Sequence, residues 1–246
     1  MNSASCVGLL GCGHIAHALA TGWTRTDLPA AERPRMAGFD IRPEAAEHLH
    51  AICGVAVCAS PAELAARSDL LVVAVRPAEI QAALTGLATE LRDVPVISLA
   101  AGVPLSELAS WLPTGAKVGR VIPNVAVSHG CGLLVWAGGT LGTAEDELRR
   151  LWSFLGEVIE VPEHLFDEAT VVASCGPGFA ALFVEAFEEA GVAVGLDWQT
   201  AAQSAVGAVA GTVELVRRSG ETGGVRRAVS TPGGMTIAGI EQLELA

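Results

Sequence analysis

The chain has 246 residues, 51% of them apolar, with 15 basic and 27 acidic side chains and a net charge of −12. Such acidity weighs against nonspecific binding to nucleic acid or to an anionic membrane, and the apolar share suffices for one large domain or two modest ones. No run approaches the roughly 18 uninterrupted apolar residues of a membrane span, and no basic segment followed by an apolar stretch opens the chain, so the expectation is a cytoplasmic protein.

In chain order, SCVGLL (5–10) reads as a short buried strand. GCGHIAHALATGW (11–23) reads as a glycine turn entering a helix with apolar positions Ile15, Ala16, Leu19 and Trp23. RMAGFD is a second strand ending at Asp40, and a helix follows from about Pro43. CGVAVCA (53–59) is a third strand, and SPAELAARS is a helix capped by Ser60. DLLVVAV, from Asp69 to Val75, is apolar enough to be buried on both faces, and a helix from about Ala78 to Leu91 follows it. PVISLAA, KVGRVIPN and GLLVWAG add three more strands, and EVIEVP a last edge strand.

Strands alternating with helices predict a mostly parallel sheet covered on both faces. After Pro162 the pattern changes to two long helical segments, 167–196 and 198–219, rich in Ala, Gly and Ser. Both are apolar on more than one side, which calls for burial beyond one contact and hence for a partner copy. A final helix-like run repeats apolar Ile237, Ile240 and Leu243 after STPGG. The chain is therefore divided into an α/β domain, 1–162, and an all-helical domain, 163–246.

Gly11-x-Gly13-x-x-Ala16, placed directly after a strand and at a helix start, points to a dinucleotide. Gly11 permits the tight turn, Gly13 lets a pyrophosphate approach the backbone, and Ala16 allows close helix–strand packing. His14 and Ile15 complete the turn, and the first domain is read as Rossmann-like. Asp40 ends the second strand, where a carboxylate binds the ribose hydroxyls of NAD, or caps the next helix. Arg42, two residues on, suits the extra phosphate of NADP. The cofactor is thus NADP(H) or NAD(H). The six cysteines form no C-x-x-C pair. His48, His50, Cys53 and Cys58 follow no compact zinc spacing, so no metal site is expected.

With these features, the segments GLLGCGHIAHALATG, VVAVRPAEI, ISLAAGV, RVIPN, SCGPGFAALFVEA and STPGGMTIAGI occur in the order found in pyrroline-5-carboxylate reductases. The chain resembles that family over nearly its whole length. The resemblance implies NAD(P)H-dependent reduction of a cyclic imine carrying a carboxylate, by a homodimer or higher homo-oligomer joined through the helical domain. It implies that Val75, Arg76 and Pro77 lie along the cofactor, and that Ala100, Ala101, Pro123 and Asn124 line its nicotinamide end. Thr231, Gly233, Gly234 and Thr236 match the substrate loop, which in that family faces a partner's cofactor, with Thr236 near the imine nitrogen. Departures from the family pattern are His14 for the usual asparagine, Arg76 for lysine, Gly178-Phe179 for Ala-Tyr, Thr231 for serine, and Met235 where threonine is frequent. They make a related imine reductase the alternative. A non-catalytic dinucleotide-binding protein is a second.

Overall fold

Five consecutive buried residues form β1, Cys6–Leu10. Their side chains alternate between two cores: Val7 and Leu9 enter one, Cys6 and Leu10 the other. The same alternation recurs in β4, Leu70–Val73, where Leu70 and Val72 face the first core and Leu71 and Val73 the second. Both strands therefore need cover on both faces. The computed structural model, which describes residues 5–91 and 93–245, supplies it.

The remaining strands are β2 (Arg35–Phe39), β3 (Ala56–Val57), β5 (Val96–Ser98), β6 (Val118–Pro123), β7 (Gly132–Ala137) and β8 (Gly156–Glu160). They build one sheet in the order β3-β2-β1-β4-β5-β6-β7-β8. Every neighbouring pair is parallel except β6 and β7. A parallel pair needs a crossover of a dozen or more residues. Only residues 124–131 separate β6 from β7, so that pair must be antiparallel. The crossover helices are α1 (His14–Trp23), α2 (Pro43–Cys53), α3 (Pro61–Arg67), α4 (Pro77–Thr85), α5 (Leu105–Ser110) and α6 (Glu145–Ser153).

The first core gathers α1, α2 and α6, and the second α3, α4 and α5. Trp23 of α1 donates its indole N–H to the Leu151 carbonyl at 3.1 Å and packs on Trp152 with ring centroids 5.2 Å apart. Burying these two rings against each other ties α6 to α1.

Several elements differ from the sequence expectation. β4 is shorter at both ends than expected: Asp69, before its start, turns its carboxylate to the Cys6 amide at 2.7 Å, and after Ala74 the chain leaves the sheet to start α4. α4 ends at Thr85, with Gly86 as its C-cap, six residues before the expected Leu91. α5 and α6 were not anticipated. α5 has only six residues, too few to show a period. α6 did carry one: Leu148, Leu151 and Trp152 are buried behind an acidic first turn of Glu145, Asp146 and Glu147.

By its internal packing the chain divides into units Met1–Pro177 and Gly178–Ala246. The helices after the sheet are α7 (Phe166–Ala193), α8 (Trp198–Ser219), α9 (Thr222–Val229) and α10 (Met235–Leu245). α7 carries Pro177 in its interior. In the second unit Gly191 lets α7 approach α8: a Cβ there would lie 2.9 Å from that of Ala201. α9, which contains two glycines that mask its period, was not anticipated; Arg226 on it pairs with Glu244 of α10 at 2.8 Å.

Phe179, Leu182, Phe183, Val206 and Val213 are all exposed in this single chain. With the turn before it, α7 is long and apolar enough to cross a membrane by length and composition, and 11% of its most apolar window is buried. The sequence reading found no uninterrupted run, since charges punctuate it. An apolar surface of this kind demands a cover.

One close contact inside the first unit is testable. A Cβ on Gly22 of α1 would sit 2.3 Å from the Val127 carbonyl oxygen and 2.5 Å from a Leu155 methyl. Gly22→Ala is expected to lower stability by about 1–3 kcal/mol through overpacking. Denaturant unfolding checks this; an unchanged midpoint would show that the 125–129 segment gives way freely.

Candidate cofactor cradle and substrate loop

The strands of a parallel sheet end on one edge, and ligands of such folds bind where the strand order reverses. Here that point lies between β1 and β4. Gly11, immediately after β1, has φ +96°, and a Cβ on it would stand 2.8 Å from the Ala74 carbonyl oxygen. Only glycine fits both the conformation and the gap. The Gly11 amide donates to the Phe39 carbonyl at 2.8 Å, so the turn is tied to β2 as well.

Gly13 is the N-cap of α1, with extended backbone and no neighbouring atom within 4 Å of where a Cβ would be. α1 has no side-chain cap and no acid in its first turn. Its leading amides lack intrahelical acceptors, and no carboxylate of that turn opposes an anion. A dinucleotide pyrophosphate fits this opening in space and in charge. His14 is exposed, Ile15 half-buried and Ala16 fully buried against the sheet.

Asp40, just past β2, is engaged on both oxygens. Oδ2 accepts the Cys12 amide at 2.8 Å and Oδ1 the Arg42 amide at 2.9 Å. Its side chain is 10% exposed, whereas that of Arg42 is 65% exposed, with Nε 3.7 Å from Oδ1. Asp40 therefore braces the glycine turn and steadies the start of α2, and Arg42 is the freer of the two toward solvent.

The other expected cofactor residues follow β4, β5 and β6 on the same edge. Val75 is half-buried, and Arg76 and Pro77 are exposed. The Arg76 guanidinium is held by Glu79 one turn into α4, and that bond holds the Glu79 carboxyl below the usual range. Ala100 is buried, and its amide donates to Ser98 Oγ at 3.2 Å; Ala101 is exposed. Pro123 ends β6 buried. Asn124 is also buried: Nδ2 donates to the Ala173 carbonyl at 3.2 Å, and Oδ1 accepts the amides of Ala126 and Leu133 at 3.2 and 3.3 Å. Asn124 thus shapes the turn after β6 and ties it to α7.

In the second unit, Thr231–Gly234 forms a tight turn in which the Gly234 amide donates to the Thr231 carbonyl at 2.9 Å. Proline then glycine at its two central positions, with Gly233 at φ +70°, is the pattern of a type II turn. Both glycines fall in the segment that the resemblance assigned to the substrate loop, but they do not present their amides alike. The Gly234 amide closes the turn, and the amides without intrahelical acceptors begin at Met235. A Cβ on Gly234 would stand 2.5 Å from Thr231 Oγ1. Thr236 is exposed in the first turn of α10.

Among the described residues no cluster of three or more metal-ligating side chains occurs. Sequence reasoning overlooked Arg120, Glu163 and Asp167, whose signal was an arginine inside the apolar strand VGRVIP.

Burial, with Asp40 beside it, pushes the Cys12 thiol from 9.0 up to about 12. The folded chain keeps this proton where the unfolded chain releases it. The resulting stability is intact below pH 9.0 and is lost as pH rises toward about 12. The chain has no tyrosine, so thiols dominate that window. Cys12→Ala is expected to lessen the fall in melting temperature between about pH 8.5 and 10.5; an unchanged slope would place the effect elsewhere.

Comparison with known proteins agrees with this layout. The family model for pyrroline-5-carboxylate reductase dimerisation matches residues 163–246, and that for NADP oxidoreductase, coenzyme F420-dependent, matches residues 6–102. The pyrroline-5-carboxylate reductase of Methanosarcina acetivorans is 32% identical over 244 residues, covering 98% of this chain and 90% of that protein. The Mycobacterium tuberculosis enzyme is 31% identical over 270 residues, covering 97% and 88%. Among solved structures, the Plasmodium falciparum pyrroline carboxylate reductase with NADP bound superposes with a TM-score of 0.84 at 24% identity, covering 98% of this chain and 90% of that one. The Coxiella burnetii pyrroline-5-carboxylate reductase gives 0.82 at 25% identity with the same coverage. The glycine cradle at the switch point and the helical region that follows it therefore have their counterparts in one known family, and the chain belongs to the pyrroline-5-carboxylate reductases.

Proposed function

We propose that this protein reduces 1-pyrroline-5-carboxylate to L-proline, acting as an NAD(P)H-dependent oxidoreductase. The observation that carries the reading is the uncapped, acid-free N-terminus of α1 behind Gly11 and Gly13, in a chain of this family. The nicotinamide, when bound, supplies a hydride. A protonated cyclic imine already accepts one readily, so the chain's own task is to bind, orient and exclude water.

Each assignment below is part of the proposal. Residues 1–162 serve as the dinucleotide domain and 163–246 as the dimerisation and substrate domain. Gly11, Gly13, His14, Ile15 and Ala16 hold the pyrophosphate, and Asp40 and Arg42 govern the adenosine ribose. Val75, Arg76 and Pro77 run along the cofactor, and Ala100, Ala101, Pro123 and Asn124 bound its nicotinamide end. Thr231, Gly233 and Gly234 form the turn that aims the first amides of α10 at the substrate carboxylate. Thr236 holds a hydrogen bond near the imine nitrogen. The protein is a cytoplasmic homodimer whose exposed apolar residues on α7 and α8 meet their copies. Sedimentation at micromolar concentration is expected to show a dimer; a stable soluble monomer would overturn this.

NAD(P)H oxidation with 1-pyrroline-5-carboxylate, beside a panel of other cyclic imines, tests the substrate. The proposal expects the highest kcat/KM for 1-pyrroline-5-carboxylate. Phe179, where the family usually has tyrosine, is 68% exposed and favours a second reading, a related imine of different ring or substituent. That reading prevails if another imine is the better substrate.

Cofactor choice rests on Arg42 toward the 2′-phosphate and on Asp40 toward the ribose hydroxyls, since each Asp40 oxygen accepts one amide and has room for a second bond. Arg42→Ala is expected to weaken NADPH roughly tenfold more than NADH, the loss of one hydrogen bond to a charged group. Asp40→Ala removes the brace on Cys12 and is expected to weaken both cofactors, while relaxing discrimination against the 2′-phosphate. Fluorescence titration measures both; equal losses of NADPH and NADH in Arg42→Ala would show that this side chain does not read the ribose. For the substrate loop, Gly234→Ala is expected to raise KM, as its Cβ displaces Thr231. Thr236→Ala is expected to lower kcat by about 2- to 12-fold, one neutral hydrogen bond. Unchanged KM and kcat would reduce the loop to a helix start.

A further inference from the structure

Arg120 lies mid-strand in β6 with 1% of its surface exposed. A charge this deep must be matched by partners. Nη1 donates to Glu163 Oε1 at 2.8 Å, and Nη2 donates to Asp167 Oδ1 at 2.8 Å and to the Ala100 carbonyl at 3.3 Å. The guanidinium also sits 4.0 Å from the centre of the Phe166 ring. Glu163 and Asp167 flank that ring at the start of α7.

The same two carboxylate oxygens have a second task. Glu163 Oε1 accepts the Leu105 amide at 2.8 Å, and Asp167 Oδ1 accepts the Gly102 amide at 3.3 Å. The loop from β5 to α5 is thus pinned at Ala100, Gly102 and Leu105, all through one buried guanidinium and its two acids. This loop leaves the carboxyl end of β5, one strand from the switch point. Ser98, which precedes it, adds one more bond, its Oγ accepting the Ala100 amide at 3.2 Å.

We infer that Arg120 is a positioning residue for the reaction: with Glu163 and Asp167 it fixes the 100–105 loop, and so the face against which the nicotinamide rests. This deepens the function proposed above and rests on it. Glu163 is the first residue matched by the dimerisation model, so the opening of that segment also sets the loop.

Asp167 is 55% exposed at its side chain, so its variants are expected to fold even if those of Arg120 do not. In the full-length protein, Asp167→Ala and Arg120→Lys are compared with the parent by three measurements. The first is amide hydrogen exchange over residues 99–105. The second is affinity for the dinucleotide the parent binds tighter, NADP+ or NAD+, against its fragment without nicotinamide, adenosine 2′,5′-bisphosphate or ADP. The third is kcat separately from KM. The inference expects Asp167→Ala to lose loop protection, to bind the dinucleotide about tenfold more weakly with its fragment nearly unchanged, and to lose about 10- to 100-fold in kcat through misplacement. Asp167→Asn keeps an acceptor for the Gly102 amide and is expected to recover most of the protection. A lowered melting temperature with loop exchange, the dinucleotide-to-fragment ratio and kcat all unchanged would overturn the inference, as would equal weakening of both ligands. A parent that binds no dinucleotide would instead defeat the functional proposal itself.

Discussion

The approach of the Gly11 backbone to the Ala74 carbonyl is the constraint on which the rest depends. A Cβ on Gly11 would stand 2.8 Å from that oxygen. Because the two chain segments can come this close, β1 and β4 end side by side and α1 begins without a side chain in the way. The turn is held on three sides: Gly11 by β2, Cys12 by Asp40, and Ala74 through its amide to the Leu10 carbonyl at 2.8 Å. A site so fixed costs little reorganisation when an anion arrives, which is how backbone amides become useful to a charged ligand.

A second constraint acts on the helical part. Its apolar residues exceed what one chain covers, with Phe179, Leu182 and Phe183 all exposed. Such a surface is stable in water only against another apolar surface. α7, which carries part of this surface, also carries Asp167, which with Glu163 in the turn before it holds the loop after β5.

Much of this was legible in the sequence because each feature has a local cause. The G-x-G-x-x-A turn, the Ser60 cap (accepting the Glu63 amide at 3.1 Å), the buried strands and the long helices all follow from neighbouring residues. What escaped was non-local or too short. Asp40 reads as a ribose ligand or a helix cap, and no local pattern shows its bond to the Cys12 amide, 28 residues away in sequence. The resemblance puts Asn124 at the nicotinamide end, but its bond to the Ala173 carbonyl, 49 residues on, has no local signal. Arg120 could be noticed as a charge in an apolar strand, but its partners lie 43 and 47 residues on, and no local pattern names them.

The central claim is direct hydride delivery to an imine carbon that the chain positions without acid–base groups of its own. Turnover of 1-pyrroline-5-carboxylate with NADPH or NADH deuterated at the transferred position of nicotinamide C4 tests it most directly. The account predicts L-proline carrying one deuterium on the former imine carbon, with none gained at that carbon when unlabelled cofactor is used in heavy water. Unlabelled proline from the deuterated cofactor, or no proline at all, would contradict it.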